Sequence, residues 1–182
     1  MLIRSKRLTL RSWRESDRPA FAALNSLREI MADLGGPLSR EDSDAKLDRY
    51  VAAFIRHGLC RWALEDGDGQ FLGYAGLMPS RAAHPLGPHF DIGWRLMRAV
   101  CGKGYATEAA RAALRDGFER MGLKEVLAYT SSDNLRSQAV IARLNLQRAA
   151  ALDYSVPLGG GQWHGLVWKA QAAKTDNPAT ER

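Results

Sequence analysis

Residues 7–13 alternate, with Leu8 and Leu10 on one face and Arg7, Thr9 and Arg11 on the other, which predicts a half-buried strand. Asp17 followed by Pro19 marks a helix start, because Asp accepts from free amides and Pro fits the first turn. Phe21, Leu24, Leu27 and Met31 continue as a helical stripe, which stops near Gly35, Gly36 and Pro37. Ser39 opens a second helix, whose stripe of Leu47, Tyr50, Val51, Phe54 and Ile55 follows the helical period until Gly58 ends it.

Two strands follow, at 60–65 and 71–78, around the turn sequence Asp66-Gly67-Asp68-Gly69, a hairpin signal. After a Pro- and Gly-bearing loop at 79–88, residues 90–97 alternate again. Phe90, Ile92, Trp94 and Leu96 face one way; Asp91, Gly93 and Arg95 face the other. A glycine turn leads into a helix striped with small residues (Ala106, Ala109, Ala110, Ala113, Gly117), which allows close approach to a sheet. A short strand at 126–130 precedes a helix capped by Asp133-Asn134 and carrying Val140, Ile141 and Leu144. Final strands are predicted at 147–156 and 162–170, joined by a turn at 157–161. The fold class is therefore α+β: a mixed, mostly antiparallel seven-stranded sheet with helices on both faces, its hairpins antiparallel and its strand–helix–strand unit parallel.

The chain has 182 residues, 46% hydrophobic and 25% charged, which excludes a disordered chain, a collagen and a disulfide scaffold. One domain is expected over 1–170, with a polar, disordered tail over 171–182. No apolar run is long enough to span a membrane, and the N-terminal segment lacks the apolar centre of a signal peptide, so the expected location is the cytoplasm. The net charge of +6 suits an anionic partner. The basic residues are scattered rather than blocked, which weighs against nucleic acid. Cys60 and Cys101 lack CxxC spacing, and His57, His84, His89 and His164 lack metal-ligand spacing, so no metal and no disulfide are expected. The histidines read as surface or loop residues.

Chemistry concentrates in the strand–turn–helix at 90–120. Glycines let the backbone approach a phosphate, and the following helix aims free N–H groups and its positive dipole end at it. Two readings stand side by side: an anion site on the amides of 102–106, or a tight turn with no ligand. The P-loop and dinucleotide patterns do not fit, since Lys103 precedes Gly104 and Thr107 occupies the third glycine position.

The run Gly102-Lys103-Gly104-Tyr105-Ala106-Thr107-Glu108-Ala109 resembles the acyl-CoA loop of the GNAT N-acetyltransferases. The family form Gln/Arg-x-x-Gly-x-Gly/Ala corresponds to Cys101, Gly104 and Ala106, with Cys in place of Gln or Arg. Arg7-Leu8-Thr9-Leu10-Arg11 with Asp17, the strand Asp91-Ile92-Gly93-Trp94-Arg95-Leu96, and Asn134-x-x-Ser137 running to Leu144-Asn145-Leu146 resemble the ribosomal-protein N-terminal acetyltransferase (RimJ/RimL-like) branch. Asn145 stands where that branch usually has glycine.

The resemblance implies the GNAT acyl-CoA N-acyltransferase fold and acetyl-CoA as cosubstrate. It also implies direct attack of a primary amine, at a protein N-terminus or on a small molecule such as a polyamine, aminoglycoside or amino-acid derivative. It assigns cofactor contact to the strand edge Leu96, Met97 and Arg98, to the loop Gly102, Lys103, Gly104, Tyr105, Ala106 and Thr107, and to Asn134 and Ser137. Asp91 becomes the candidate base, or else a residue that solvates the strand's outer face. Gly93 beside it is expected to leave room for substrate. Ser137 becomes the candidate donor to the departing sulfur, because Ile141 occupies the position where many members carry a tyrosine. Arg136 and Arg143 are phosphate candidates or solvated helix charges. Trp62, Trp94 and Trp163 are candidates for an acceptor pocket, with core packing the expected place of Trp94. Two other classes stay open: a non-catalytic acyl-CoA sensor on the same fold, and an RNA-associated module. Monomer and homodimer are both compatible.

Overall fold

The computed structural model describes residues 1–158 and 161–172. Its sheet runs β1 (Leu2–Arg4), β2 (Thr9–Arg11), β3 (Arg61–Glu65), β4 (Phe71–Pro79), β5 (Phe90–Leu96), β6 (Glu125–Ser131) and β9 (Gly161–Gln171) in spatial as well as chain order. On the far side of β9 lie β7 (Gln147–Arg148) and β8 (Tyr154–Leu158). All pairs are antiparallel except β5 with β6. The mixed, mostly antiparallel sheet is thus as expected, but it has nine strands rather than seven. One addition is β1, three residues too short to show a period. The other arises because a turn at Ala150–Leu152 splits the expected strand at 147–156 into β7 and β8. Gln171 still belongs to β9; most of the expected tail, 173–182, lies outside the described residues.

The first helical stripe is interrupted. It forms α1 (Arg18–Ser26) and α2 (Arg28–Met31), with Leu27 extended between them at φ −80° and ψ 113°. The carbonyl of Asn25 accepts from the amide of Leu38 in the following loop rather than continuing the helix. Next, α3 (Arg40–His57) begins as expected, with the Ser39 side chain accepting from the Asp42 amide, and ends at left-handed Gly58. Its buried face differs from the expected stripe. Ser43, Lys46, Leu47, Tyr50 and Ala53 point inward, while Ile55 is 79% exposed. A wide polar component on that face, Ser43 and Lys46, masked its direction.

The β4 strand shows how both faces are covered. Tyr74 packs against Phe21 and Tyr50 from α1 and α3. Leu77, on the opposite face, meets α4 (Tyr105–Glu119) where Gly117 leaves room, since a Cβ there would collide with Leu77. Ala109, Ala110 and Ala113 on the same helix are buried, so the small-residue stripe brings the helix close to the sheet as expected. The last helix, α5 (Leu135–Arg143), ends near Asn145, which adopts φ 56° in place of a glycine. Among the described residues, no helix is long and apolar enough to cross a membrane.

Candidate active site

A gap opens where the parallel strands meet. β5 pairs with β4 along its whole length, but with β6 only at Asp91 opposite Leu127. Beyond that point the two strands part, and the edge of β5 towards Leu96 has no partner on the β6 side. Past Leu96, the Met97 amide bonds back to the Leu72 carbonyl at 2.8 Å and the chain turns through Arg98–Val100. Gly102 and Gly104 both take φ of 80°, a left-handed conformation suited to glycine. The first backbone amide after the turn to find an acceptor is Glu108, on the Gly104 carbonyl at 3.1 Å. Among the described residues, the amides of Gly102, Lys103, Gly104, Tyr105, Ala106 and Thr107 bond to no protein acceptor. This is the arrangement an anion at a helix N-terminus needs.

The loop is held from outside. Arg7 donates to the Lys103 carbonyl at 3.0 Å, pairs with Glu108 at 2.7 Å and lies 4.5 Å from the centre of the Tyr105 ring. Burial pushes the Glu108 carboxyl up, but bonds from the Arg7 amide, the Arg7 side chain and Ser5 bring its pKa below the ordinary value. Sequence reasoning missed this brace, because its partners lie a hundred residues apart.

Two cavities flank the gap. A cavity of about 650 Å³ brings together Leu96, Arg98, Cys101, Asn134, Arg136 and Ser137. The loop residues 102–107 lie outside its lining, as does Arg143, whose guanidinium bonds to the Ala139 carbonyl. Asn134 caps α5 by accepting from the Ser137 amide at 3.0 Å, and donates to Asp33 at 2.8 Å. A second cavity of about 890 Å³ contains Asp91, Arg61, His84, Lys46 and Tyr74. Asp33, Trp94, Arg95, Ser137 and Trp163 line both. Trp94 and Trp163 therefore face open space, whereas Trp62, 1% exposed, belongs to the core. Trp94 also packs against the core, so its period signalled only half of its environment.

Asp91 does face this second cavity, but it is 7% exposed and its carboxylate is bound by the buried Arg61 guanidinium. Arg61 also donates to the carbonyls of Gly76 and Asp91. Burial pulls the Arg61 pKa down, and Asp91 together with Tyr50 and Tyr129 more than reverses it. Asp91 is thus no solvating residue of an outer face. The expectation for Gly93 needs the same correction: a Cβ there would come 2.8 Å from Arg61 Nη2, so its missing side chain accommodates the guanidinium rather than substrate.

The histidines at 84 and 89 are not isolated loop residues. Their rings lie 4.6 Å apart and form a cluster with Tyr129 and Tyr154; His84 Nε2 is 3.2 Å from the Tyr154 hydroxyl. Burial and then His89 lower the His84 pKa, with Asp91 opposing. The cluster is assembled by the 79–88 loop folding over β6 and β8, which local pattern does not reveal.

The acetyltransferase (GNAT) domain model matches residues 7–147, well over half of the chain. The chain belongs to the GNAT acetyltransferase family. It is 33% identical over 79 residues to the uncharacterized N-acetyltransferase YnaD of Bacillus subtilis, a match covering 43% of this chain and 46% of that protein. The chain spans about half or less of the length of the curated relatives it matches. Among solved structures it resembles an acetyltransferase from Agrobacterium tumefaciens, with a TM-score of 0.80, 26% identity, and coverage of 94% of this chain and 95% of the other. The fold is also that of RimL, the ribosomal L7/L12 alpha-N-protein acetyltransferase, solved in complex with coenzyme A: TM-score 0.74, 19% identity, covering 94% of this chain and 98% of that one.

Proposed function

We propose that this GNAT protein transfers an acetyl group from acetyl-CoA to a primary amine by direct attack within a ternary complex. The observation that carries this reading is the meeting of the two cavities at Trp94, Arg95 and Ser137, beside the parted strands. A thioester laid along one cavity and an amine held in the other come together there. Family membership supports the chemistry, and the unpaired amides of 102–107 support acetyl-CoA as cosubstrate, since its pyrophosphate needs such donors. Acetyl-CoA supplies the activated acyl group.

The chain's own residues then have three tasks. The free edge of β5 at Leu96 offers backbone groups to the amide-rich pantetheine arm, as Asn134 does with its side chain. Asp91, oriented by Arg61, takes the proton that the acceptor ammonium must lose, directly or through water. The nitrogen forms its bond to the acyl carbon as the carbon–sulfur bond breaks, and the Ser137 hydroxyl donates to the sulfur as negative charge develops. A thiol-release assay with acetyl-CoA against a panel of amines and N-terminal peptides tests the reading. Release that depends on an amine supports it. Tight acetyl-CoA binding with no release for any amine would instead favour a sensor.

A further inference from the structure

The second cavity carries more positive charge than its carboxylates balance. Arg61 is paired with Asp91, and Arg95 with Asp33 at 3.2 Å. The third lining carboxylate, Asp42, accepts from the Ser39 hydroxyl at its helix cap. That leaves Lys46 in the wall and Arg49, Arg56 and Arg81 nearer solvent with no carboxylate partner among the described residues.

Lys46 is the informative one. It is 8% exposed, and its ammonium donates to Asn25 Oδ1 at 3.0 Å and to the Tyr74 hydroxyl at 3.1 Å. An ammonium has three donors, so one remains. No carboxylate of the chain pairs with it among the described residues, and a buried cation without a carboxylate is costly unless a counter-ion binds. Burial lowers its pKa, Tyr74 opposes that shift, and the positive charges of Arg95 and Arg49 add to it. Arg95, paired with Asp33 through its terminal nitrogens, keeps a buried Nε with no hydrogen-bond partner among the described residues.

We infer that the amine accepted in this cavity also carries a carboxylate, which binds at Lys46 and Arg95, so that the substrate is a small amino acid or amino-acid derivative. This rests on the N-acetyltransferase reading and narrows it. The volume of about 890 Å³ is that of a small-molecule site. The charge surplus repels a polyamine or an aminoglycoside and attracts a zwitterion through its anionic end. Lys46 serves here as a specificity-determining residue.

The test compares free amino acids with their amides, with the matching decarboxylated amines and with acidic peptides, by thiol release from acetyl-CoA. The expected result is a kcat/KM about 10- to 100-fold higher for the carboxylate than for its amide, the range of one charged hydrogen bond. Lys46→Met should erase that preference. Arg49→Gln, on the exposed rim, should reduce it without threatening the fold. Equal or better turnover of amides or decarboxylated amines overturns the inference while leaving the acetyltransferase reading intact, and so does turnover of acidic peptides alone. If no amine releases thiol, the acetyltransferase reading fails, and calorimetry on the full chain with coenzyme A decides the inference separately. Binding of N-acetyl amino acids but not their amides supports the carboxylate site; absence of that difference overturns it.

Discussion

Asp91→Asn separates the buried ion pair with Arg61 from the proposed role of Asp91 as base. Arg61 and Asp91 are 9% and 7% exposed, and the guanidinium sits in space left by Gly93. Removing one member of a buried ion pair leaves an uncompensated charge, at a cost of about 3–5 kcal/mol. In a chain of 182 residues, each kcal/mol moves the melting temperature by about 2–4 °C. The variant should therefore melt at least about 6 °C below the parent. If Asp91 also receives the proton of the acceptor amine, turnover measured well below that melting temperature should fall by about 10²–10⁴-fold. Part of it should return at higher pH, where the amine is already neutral. The double variant Arg61→Met, Asp91→Asn removes the stranded cation, so it should regain stability but not turnover. Calorimetric melting and thiol release on all three proteins read the two roles independently. An unchanged melting temperature in Asp91→Asn would refute the buried-pair argument. Recovery of turnover in the double variant would refute the assignment of the base and direct attention to His84 across the cavity.

Gly104→Val places a branched side chain at φ 80° in the loop of unpaired amides, and acetyl-CoA affinity by calorimetry should fall at least about tenfold; wild-type affinity would remove the loop from the cofactor site. Ser137→Ala should lower kcat with little change in acetyl-CoA affinity, because its partner charge appears only as the bond breaks; an unchanged kcat leaves Ser137 a structural role. Burial lowers the Lys46 pKa, and Tyr74, which burial alone would raise, is brought to about 8 by Lys46 and Arg95. Between pH 8 and Tyr74's ordinary value of 10.0, the unfolded chain then holds more protons than the native one. Stability from this pair should rise with pH across that window, on the order of 1 kcal/mol per displaced unit. Denaturant titrations in which it falls would contradict the sign.

The elements with a strong period were legible. The alternation of β5, the Ser39 and Gly58 caps of α3, and the glycine pair opening α4 lie where residue pattern puts them. What failed was information held at a distance. Leu27 has the spacing to continue α1, yet Asn25 is drawn into a buried network with Ser43 and Lys46, and the helix breaks after it. Ile55 fits the stripe of α3, but the side that packs is chosen by Tyr74 and Phe21, which reach Tyr50 from elsewhere in the fold. β7 and β8 share one partner strand, and their separation by a turn leaves no mark on hydropathy.

In the candidate site, motif spacing marked the residues that act through the backbone and missed those that act through charge. Gly102, Gly104 and Asn134 act through conformation and capping, both local properties, so their residue types are enough to mark them. Asp91 was legible as a cavity carboxylate but not as a partner of Arg61, because Arg61 lies on β3, two strands away across β4. One signal did exist. Gly93 interrupts a strand of larger residues, Gly76 stands opposite it in the register, and the Gly76 carbonyl accepts from Arg61. A glycine facing a glycine across two strands marks a place where something bulky crosses the sheet surface, and the buried cation that fills it is the kind of group an isolated motif cannot supply. Lys46 obeys the same logic from the helix side. A lysine at an inward position of an amphipathic helix is either an error in the register or a charge waiting for a partner, and its bonds to Asn25 and Tyr74 show that the register is right. On the proposed mechanism, catalysis in this cleft depends on two buried cations with different roles. Arg61 holds a carboxylate of the chain itself, and Lys46 is left to hold one that arrives with the substrate.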